Sequence, residues 1–236
     1  MNPLAHPSYP SRGLRKGFTL VEVIVALTVF GLAMVGCLGF LIQSLKSYSY
    51  DTSKLFVNRD IRTFTNELTD NATYANYFLI FPSFSGDRSS TDPSTGVTSD
   101  TSVNDGLSGD LLVLVYKDDT INSDGSTNDT KVKRLIGYYR YADPTSASDT
   151  SGQGPVRTFD ITISPSSSAP VWSLLPNVST MKTNPLVLQL SVGLADQKLF
   201  YNYYDRSIMV KGQIFHEGRL TKDATNIYNF TVSPRG

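Results

Sequence analysis

The chain has 236 residues and carries 21 Lys and Arg against 21 Asp and Glu, so its formal net charge is zero. A chain without a basic excess has little with which to neutralise phosphates, which argues against nucleic acid as a main partner. The single cysteine, Cys37, excludes an intrachain disulfide. The length is sufficient for one domain with a substantial core in addition to an N-terminal segment.

The N-terminal segment combines a basic cluster with a long apolar run. Arg12, Arg15 and Lys16 precede Gly17, and the run then continues from Phe18 to Ile42. It has about 25 residues, enough to span a hydrocarbon core about 30 Å thick. The apolar core of a secretory signal peptide is shorter, about 7–15 residues. The sequence therefore predicts a cytoplasmic leader over 1–17, a membrane-spanning helix over 18–42 and an exported remainder, in the orientation of the positive-inside rule.

One carboxylate, Glu22, lies near the start of this apolar run. A charge at the centre of a bilayer costs roughly 2.5–3.5 kcal/mol on insertion scales, and less towards the interface. An ionisable residue inside a membrane segment is a functional-site hypothesis whose partner should be named. Glu22 is therefore the first candidate site residue.

The run from Gly17 to Glu22, Gly-Phe-Thr-Leu-Val-Glu, resembles the cleavage and methylation motif of type IV prepilins and type II secretion pseudopilins. The resemblance implies that a prepilin peptidase cuts after Gly17 and methylates the new amine of Phe18. It also implies that Glu22 satisfies such an amine, its own or that of another subunit, because buried opposite charges attract strongly and an unpaired one is costly. The implied partners are this peptidase, other pilin or pseudopilin subunits, an inner-membrane assembly platform and membrane lipid.

Two other interpretations of the segment stay open. The helix could be a plain signal anchor that tolerates one acidic residue near its end. Alternatively, Met34 to Cys37, Met-Val-Gly-Cys, is a loose lipobox that would make Cys37 a lipidated N-terminus. The lipobox lacks leucine three residues before the cysteine, and its apolar region would have to contain Glu22. Cys37 otherwise packs as a small hydrophobic residue.

Beyond Gln43 the pattern becomes amphipathic and predicts that the helix continues over 43–77. Apolar residues recur at steps of three and four, the pattern of one helix face lying on a core. These residues are Val57, Ile61, Phe64, Leu68, Ala72 and Ala75. Gly31, Gly36 and Gly39 interrupt the apolar half, where they favour close helix packing, or, for Gly39, a locally weakened helix.

From residue 78 to 236 the sequence alternates with a period of two and is rich in β-formers, which predicts a mainly antiparallel β-rich head. Phe78–Phe81 is either a first strand or the exit of the helix. The predicted strands after it are Leu111–Lys117, Val132–Tyr141, Arg157–Ile163, Leu186–Val192, Lys198–Tyr204, Ser207–Phe215 and Asn226–Val232. Leu111–Lys117 and Val132–Tyr141 form a hairpin around a turn at 122–125. Two polar, Ser- and Asp-rich stretches, 85–110 and 143–154, are predicted to be flexible surface loops.

The inventory of catalytic groups is small. His6 lies in the leader and His216 is the remaining histidine, so zinc sites and Cys/His nucleophilic arrangements are nearly excluded, and His216 is expected to be structural or solvent-facing. One acidic loop offers oxygen ligands to calcium, with Asp118, Asp119, Asn122, Asp124, Asn128 and Asp129. Its spacing does not match an EF-hand, which favours a solvated turn. We therefore expect no cofactor, no metal site and no enzymatic activity.

Together these observations predict an α+β protein in which a long N-terminal helix, part transmembrane and part amphipathic, packs on an antiparallel β head, as in pilins. The predicted function is that of a minor pilin-like structural subunit of a type II secretion or type IV pilus-like filament. The Arg-x-Phe-Thr-x-Glu-Leu run from Arg62 to Leu68 is similar to J-type minor pseudopilins. The alternative is a membrane-anchored periplasmic β-domain that binds a partner and does not polymerise.

Overall fold

The structure is a computed structural model and describes residues 17–121, 126–141, 154–194, 197–216 and 224–235. Helix α1 begins at Leu20 and ends at Tyr74. The predicted long helix is therefore confirmed, with ends within three residues of the predicted ones. The chain divides into two compact units, with the boundary between Ser47 and Tyr48.

In the first unit, the described residues are the apolar start of α1 and the three residues before it. Every described side chain from Gly17 to Ser47 is exposed, and Leu32 and Val35 are exposed by 75% and 70%. A helix that is apolar on all sides has no polar face to present to water, which is typical of a membrane span. Among the described residues α1 is the one helix long and apolar enough to cross a membrane.

In the second unit, the same helix turns one face towards a core. Its buried residues there are Ser53, Val57, Phe64, Leu68 and Ala72, followed by Ala75 just beyond its end. Ile61 is partly buried against the same cluster. The amphipathic stripe predicted from the sequence is thus confirmed. Phe64 is its centre, with edge-to-face contacts to the rings of Tyr138, Tyr228 and Phe230 at 5.8, 6.1 and 5.9 Å.

Strands follow the helix. They are β1 (Tyr77–Phe81), β2 (Ser89–Thr91), β3 (Thr98–Asp100), β4 (Ser108–Gly109), β5 (Leu111–Lys117), β6 (Val132–Arg140), β7 (Gly154–Ser167), β8 (Leu186–Gly193), β9 (Phe200–Tyr203), β10 (Ser207–His216) and β11 (Ala224–Val232). A short helix α2 (Val171–Leu174) and a 3-10 helix (Val178–Lys182) lie between β7 and β8. The main sheet has the order β1-β5-β6-β7-β8-β10-β9-β4, with β11 beside β10, and its ladders are antiparallel.

Each predicted strand has a counterpart in this sheet, and β5 and β6 pair as the predicted hairpin. The turn at 122–125 lies outside the described residues, as does 143–153 of the second predicted loop. The first predicted loop, 85–110, differs from the prediction because it contains β2, β3 and β4. Hydrogen bonds between its polar side chains hold this segment in place of apolar packing. The Thr91 and Thr98 hydroxyls are hydrogen-bonded across β2 and β3 at 2.9 Å, and Ser94 donates to the Asp92 carboxylate.

The sheet is covered on both faces, at least over β1, β5, β6 and β7. One face packs on α1, and this cluster includes Leu112, Leu114 and Tyr138. The opposite face packs on Phe84, α2 and the residue after it, with Tyr139 stacked on Phe84 at 4.0 Å. Neighbouring residues of β6 therefore belong to different cores, as the period of two in a strand requires. The predicted α+β, pilin-like arrangement is confirmed.

A buried ion pair ties the sheet together near the end of β6. Both Arg140 and Asp110 have side chains that are more than nine-tenths buried, and their contact is bidentate, at 3.1 and 2.6 Å. Asp110 also accepts from the ammonium of Lys198 and from the backbone N–H of Leu199, both at 3.1 Å. The Asp110 carboxylate thus connects the start of β5 to the end of β6 and to the residues just before β9.

Candidate functional site

The peptide bond between Gly17 and Phe18 lies just ahead of α1. Neither residue is helical, both are exposed, and the Phe18 side chain is exposed by 87%. A Cβ placed on Gly17 would meet no atom within 4 Å. Because a protease needs an extended, accessible peptide, this position at the edge of a helix suits the predicted cleavage, whereas a bond within the helix would first have to unfold.

Thr19 and Glu22 form a capping box at the start of α1. The Glu22 carboxylate Oε2 accepts from the backbone N–H of Thr19 at 3.0 Å and from its hydroxyl at 3.2 Å. In return, the Thr19 hydroxyl oxygen accepts from the backbone N–H of Glu22 at 3.3 Å. The arrangement satisfies two backbone donors that a helix N-terminus leaves free. It also places a negative charge at the positive end of the helix dipole.

The capping box gives Glu22 a defined orientation. Its carboxylate points back along the helix axis towards Thr19, and so towards the residues that precede the helix, including the candidate cleavage bond. In the single chain the charge is already hydrogen-bonded, which lowers the cost of holding it in an apolar segment. Sequence reasoning singled out Glu22 but missed Thr19, although Thr-x-x-Glu directly before an apolar run is the signature of this cap.

Comparison with protein-family models finds the prokaryotic N-terminal methylation motif over residues 12–38. The chain carries the N-terminal motif of the type IV prepilin and pseudopilin family. Comparison with curated proteins and with solved structures returns no match. The matched range includes the basic cluster, Gly17, Phe18, Glu22 and more than half of the apolar run.

The motif supports a type IV pilin-like protein and implies processing by a prepilin peptidase and association with pilin subunits. The motif and the apolar half of α1 fit a membrane-anchored, single-pass protein. The individual roles of Gly17, Phe18 and Glu22 stay predictions. The geometry is compatible with these roles, because the accessible Gly17–Phe18 peptide bond is followed, about one helical turn later, by the oriented carboxylate of Glu22.

The motif's matched range also contains Cys37, which lies in the apolar N-terminal part of α1 as a free, exposed thiol. The helix is continuous through Gly31, Gly36 and Gly39, and a Cβ at any of them would meet no atom within 4 Å. These glycines make no close contact within the single chain. Close packing at these positions would therefore have to involve another helix.

The remaining candidate residues of the head do not come together as a site. For His216 the structure gives only the backbone position, the last residue of β10. The described part of the acidic loop behaves as a turn: Asp118 accepts from the N–H of Thr120, and Asp119 pairs with Lys133 at 3.7 Å. Asn122 and Asp124 lie outside the described residues. Among those described, no group of three or more His, Cys, Asp or Glu side chains could hold a metal ion.

Proposed function

We propose that this chain is a minor pilin-like structural subunit, stored in the membrane as a precursor and drawn into a filament after cleavage between Gly17 and Phe18. The observation that carries the proposal is the exposed apolar half of α1, with an oriented carboxylate at its start. Such a surface is stable only in lipid or among other apolar helices. Its role is mechanical, and the associated chemistry belongs to the peptidase and to the ATPase that drives assembly.

Cleavage would change the partner available to Glu22. It creates a positively charged amine at Phe18, four residues before a carboxylate that already points towards the helix start. A charge-assisted hydrogen bond to an amine is stronger than the bonds to Thr19. Glu22 would therefore exchange its cap for an amine, either its own or that of a neighbouring subunit. In an apolar surrounding such a pair fixes the axial register of one helix against the next.

The run from Arg62 to Leu68 favours a J-type minor pseudopilin of type II secretion over a minor pilin of a type IV pilus. Phe64 and Leu68 of this run are core residues, and Glu67 accepts from a sheet tyrosine, so the run also has a structural explanation. The proposed orientation, with the N-terminus in the cytoplasm and the head in the periplasm, follows the positive charges before the helix.

The first test is the mass and N-terminal sequence of the protein extracted from membranes, with and without the host's prepilin peptidase. The proposal predicts a chain that begins at N-methylated Phe18 only when the peptidase is present. A chain that begins at Met1 in both strains would favour the anchored, non-polymerising module. One that begins at a lipidated Cys37 would make it a lipoprotein and would end the filament proposal.

The second test separates a filament subunit from a plain anchor. In Glu22→Gln the amide oxygen can still accept from Thr19, but the charge is lost. We expect the variant to insert and to be cleaved while its incorporation into filaments falls by at least about tenfold, the equivalent of one charged contact. Asp60→Asn removes a carboxylate from the same helix outside the apolar run and should assemble normally. Equal incorporation of both variants would contradict a role for Glu22 in assembly.

A further inference from the structure

Strand β11 is the outermost strand at one side of the main sheet. Among the described residues it pairs with β10 alone, and β10 uses its opposite edge for β8 and β9. No backbone N–H or C=O of β11 is hydrogen-bonded to a described residue outside β10. One edge of β11 therefore carries a row of free donors and acceptors, which is a template for a further strand.

The bonds of β10 show which backbone groups of β11 form this row. Lys211 of β10 uses both its N–H and its C=O for residues just before β9 and just after β8, so both groups point away from β11. Asn229 is the register partner of Lys211. In an antiparallel ladder, both residues of such a pair turn their backbone groups away from each other. The N–H and C=O of Asn229 therefore point to the open edge, and by alternation so do those of Ile227 and Thr231.

The edge of β11 lacks the features that protect edge strands from pairing, which are charge, proline, a β-bulge or a short length. β11 has nine residues, about 30 Å of strand, and none of them is charged, proline or glycine. Its register with β10 runs without a shift, whereas the ladders β5–β6, β6–β7 and β7–β8 are each interrupted. The edge is thus long, regular and uncharged.

The two faces of β11 differ, and this specifies the side chains of an added strand. Tyr228 and Val232 are buried in the cluster that packs on α1. Ile227, Asn229 and Thr231 are exposed on the other face. An added antiparallel strand continues both faces, and its residues that bond to the edge lie opposite these three and share their exposed face. Its remaining residues extend the α1 face and should be apolar.

A second copy of the chain does not fit this edge. Antiparallel pairing of β11 with itself places a two-fold axis perpendicular to the sheet. Such an axis reverses every direction in the plane of the sheet, including that of the part of α1 that packs on it. Two copies with reversed helices are poorly suited to anchoring in one membrane, so a different protein is the better occupant.

We propose that the open edge of β11 is a β-augmentation site, which takes an extended segment of a different protein as an additional antiparallel strand. The segment bonds to the backbone groups of Ile227, Asn229 and Thr231. Its side chains alternate, polar on the exposed face and apolar on the α1 face, and its centre is uncharged like β11 itself. Backbone pairing gives such a site its affinity, and the alternating side chains give specificity. The site does not depend on cleavage or filament assembly, because its residues all belong to the second unit.

The first test uses the full chain in detergent and a synthetic strand, acetyl-Lys-Thr-Val-Thr-Ile-Thr-Val-Lys-amide, whose terminal lysines keep it soluble. Binding is followed by calorimetry up to millimolar peptide. One modified peptide carries N-methyl groups on its three threonines, and the other carries them on its two valines and isoleucine. The threonines lie on the exposed face, so their N–H groups bond to the edge. We expect their N-methylation to weaken binding at least about tenfold and that of the aliphatic residues to change it less than about twofold.

Asn229→Pro and Asn229→Ala form a matched pair of variants for the second test. Proline removes the N–H that points to the open edge and leaves the bonds to β10, which is the position where a sheet tolerates proline. Alanine removes the side chain but keeps the N–H. We expect Asn229→Pro to bind the unmodified peptide at least about tenfold more weakly and Asn229→Ala to bind it like the wild type. Circular dichroism and urea unfolding check that both variants fold.

Four results would overturn the proposal. They are no binding of the unmodified peptide, equal loss of binding with both N-methylated peptides, wild-type binding by a folded Asn229→Pro, and dimerisation of the chain that Asn229→Pro abolishes. The last would mean that the edge serves a second copy. If Asn229→Pro does not fold, the two N-methylated peptides decide the question with the unchanged protein.

Discussion

The hydroxyl of Tyr138 on β6 donates a hydrogen bond of 3.0 Å to the carboxylate of Glu67 on α1. The same hydroxyl oxygen accepts from the Asn71 side chain at 2.6 Å, and the hydroxyl of Tyr116 donates to the backbone carbonyl of Asn71 at 2.6 Å. Apolar contacts alone leave a helix free to rotate or slide on a sheet, since they have no direction. These directional bonds select one position of the helix on the sheet.

The first prediction concerns Tyr138→Phe. The variant keeps the ring in the core but leaves Glu67 and the Asn71 amide without this partner. We expect the free energy of unfolding to fall by about 1–2 kcal/mol, because two partly buried polar groups lose a hydrogen-bond partner. Urea unfolding of the full chain in detergent, followed by the fluorescence of Trp172, would measure it. Tyr74→Phe is the matched control, because that side chain is 79% exposed, and a loss of similar size there would contradict our explanation.

The second prediction concerns the buried pair of Asp110 and Arg140. Asp110→Asn removes the negative charge that compensates Arg140 and Lys198. We expect the free energy of unfolding to fall by about 3–5 kcal/mol, because an uncompensated buried charge is costly. The measurement is the same urea titration. A loss below about 1 kcal/mol would show that water reaches the pair and screens it, as at an exposed site.

Asp160→Asn provides the third prediction and contrasts with the buried pair. Asp160 and Arg134 are each about half exposed, so we expect a loss of at most about 1 kcal/mol at neutral pH. The hydrogen bonds from Arg134 hold the pKa of the Asp160 carboxyl below its ordinary value. The pair's contribution to the free energy of unfolding is therefore complete above pH about 3.9, the ordinary pKa of aspartate, and is lost as the pH falls through the lowered pKa. Wild type and variant should converge in acid, and a difference that persists there would refute this origin.

The fourth prediction concerns alkaline pH. Burial raises the pKa of the Tyr138 and Tyr228 hydroxyls, the latter paired with Ser191 at 2.8 Å. A raised pKa of an acid means that stability is fully present below the ordinary value of about 10 and is lost as the pH rises towards the folded pKa. Tyrosinate absorbance should therefore titrate in two phases, the later one coinciding with unfolding. In urea the 13 tyrosines should titrate in a single phase, and a single phase in the folded protein would disprove the assignment.

The fifth prediction concerns Gly137, which pairs with Phe159 across β6 and β7. A Cβ at Gly137 would overlap the Phe159 ring. Gly137→Ala should therefore cost about 1–3 kcal/mol through overpacking. In the Phe159→Leu background the same change should cost less, because the smaller side chain leaves room. A double-mutant cycle measures this coupling, and strictly additive effects would mean that the ring does not cause the clash.

Most of the elements could be predicted from the sequence because they follow from local patterns. The apolar run and the stripe through Phe64 and Leu68 specify α1, and the continuous run of apolar β-formers in 111–115 specifies β5, which is buried on both faces. The capping residue Thr19 was also visible in principle, since it stands three residues before Glu22. These features depend on residues that are neighbours in the chain or on one turn of helix.

The order of strands in the sheet could not be predicted in the same way, because it depends on contacts between distant segments. Two examples are the Arg140–Asp110 pair and the hydrogen bond between Tyr138 and Glu67. In neither case does the sequence around one residue indicate which residue is its partner. The β2–β3 hairpin was missed because its sequence has few apolar residues. Hydrogen bonds between hydroxyl and carboxylate side chains hold it instead. The turn between β9 and β10 was missed because hydrogen bonds to Asn202 and Asp105 impose a positive φ at Tyr204 against the preference of a tyrosine.

The contact between α1 and β11 has a consequence for biogenesis. Asn226 donates to Asn58 across 168 positions of sequence, and Tyr228 packs on Phe64. The helix is made early in synthesis, but part of its apolar stripe has no partner until residues beyond 220 have been made. Contacts this distant in sequence form slowly and leave intermediates exposed. The amphipathic part of the helix is thus incompletely covered during synthesis until the last strand has been made.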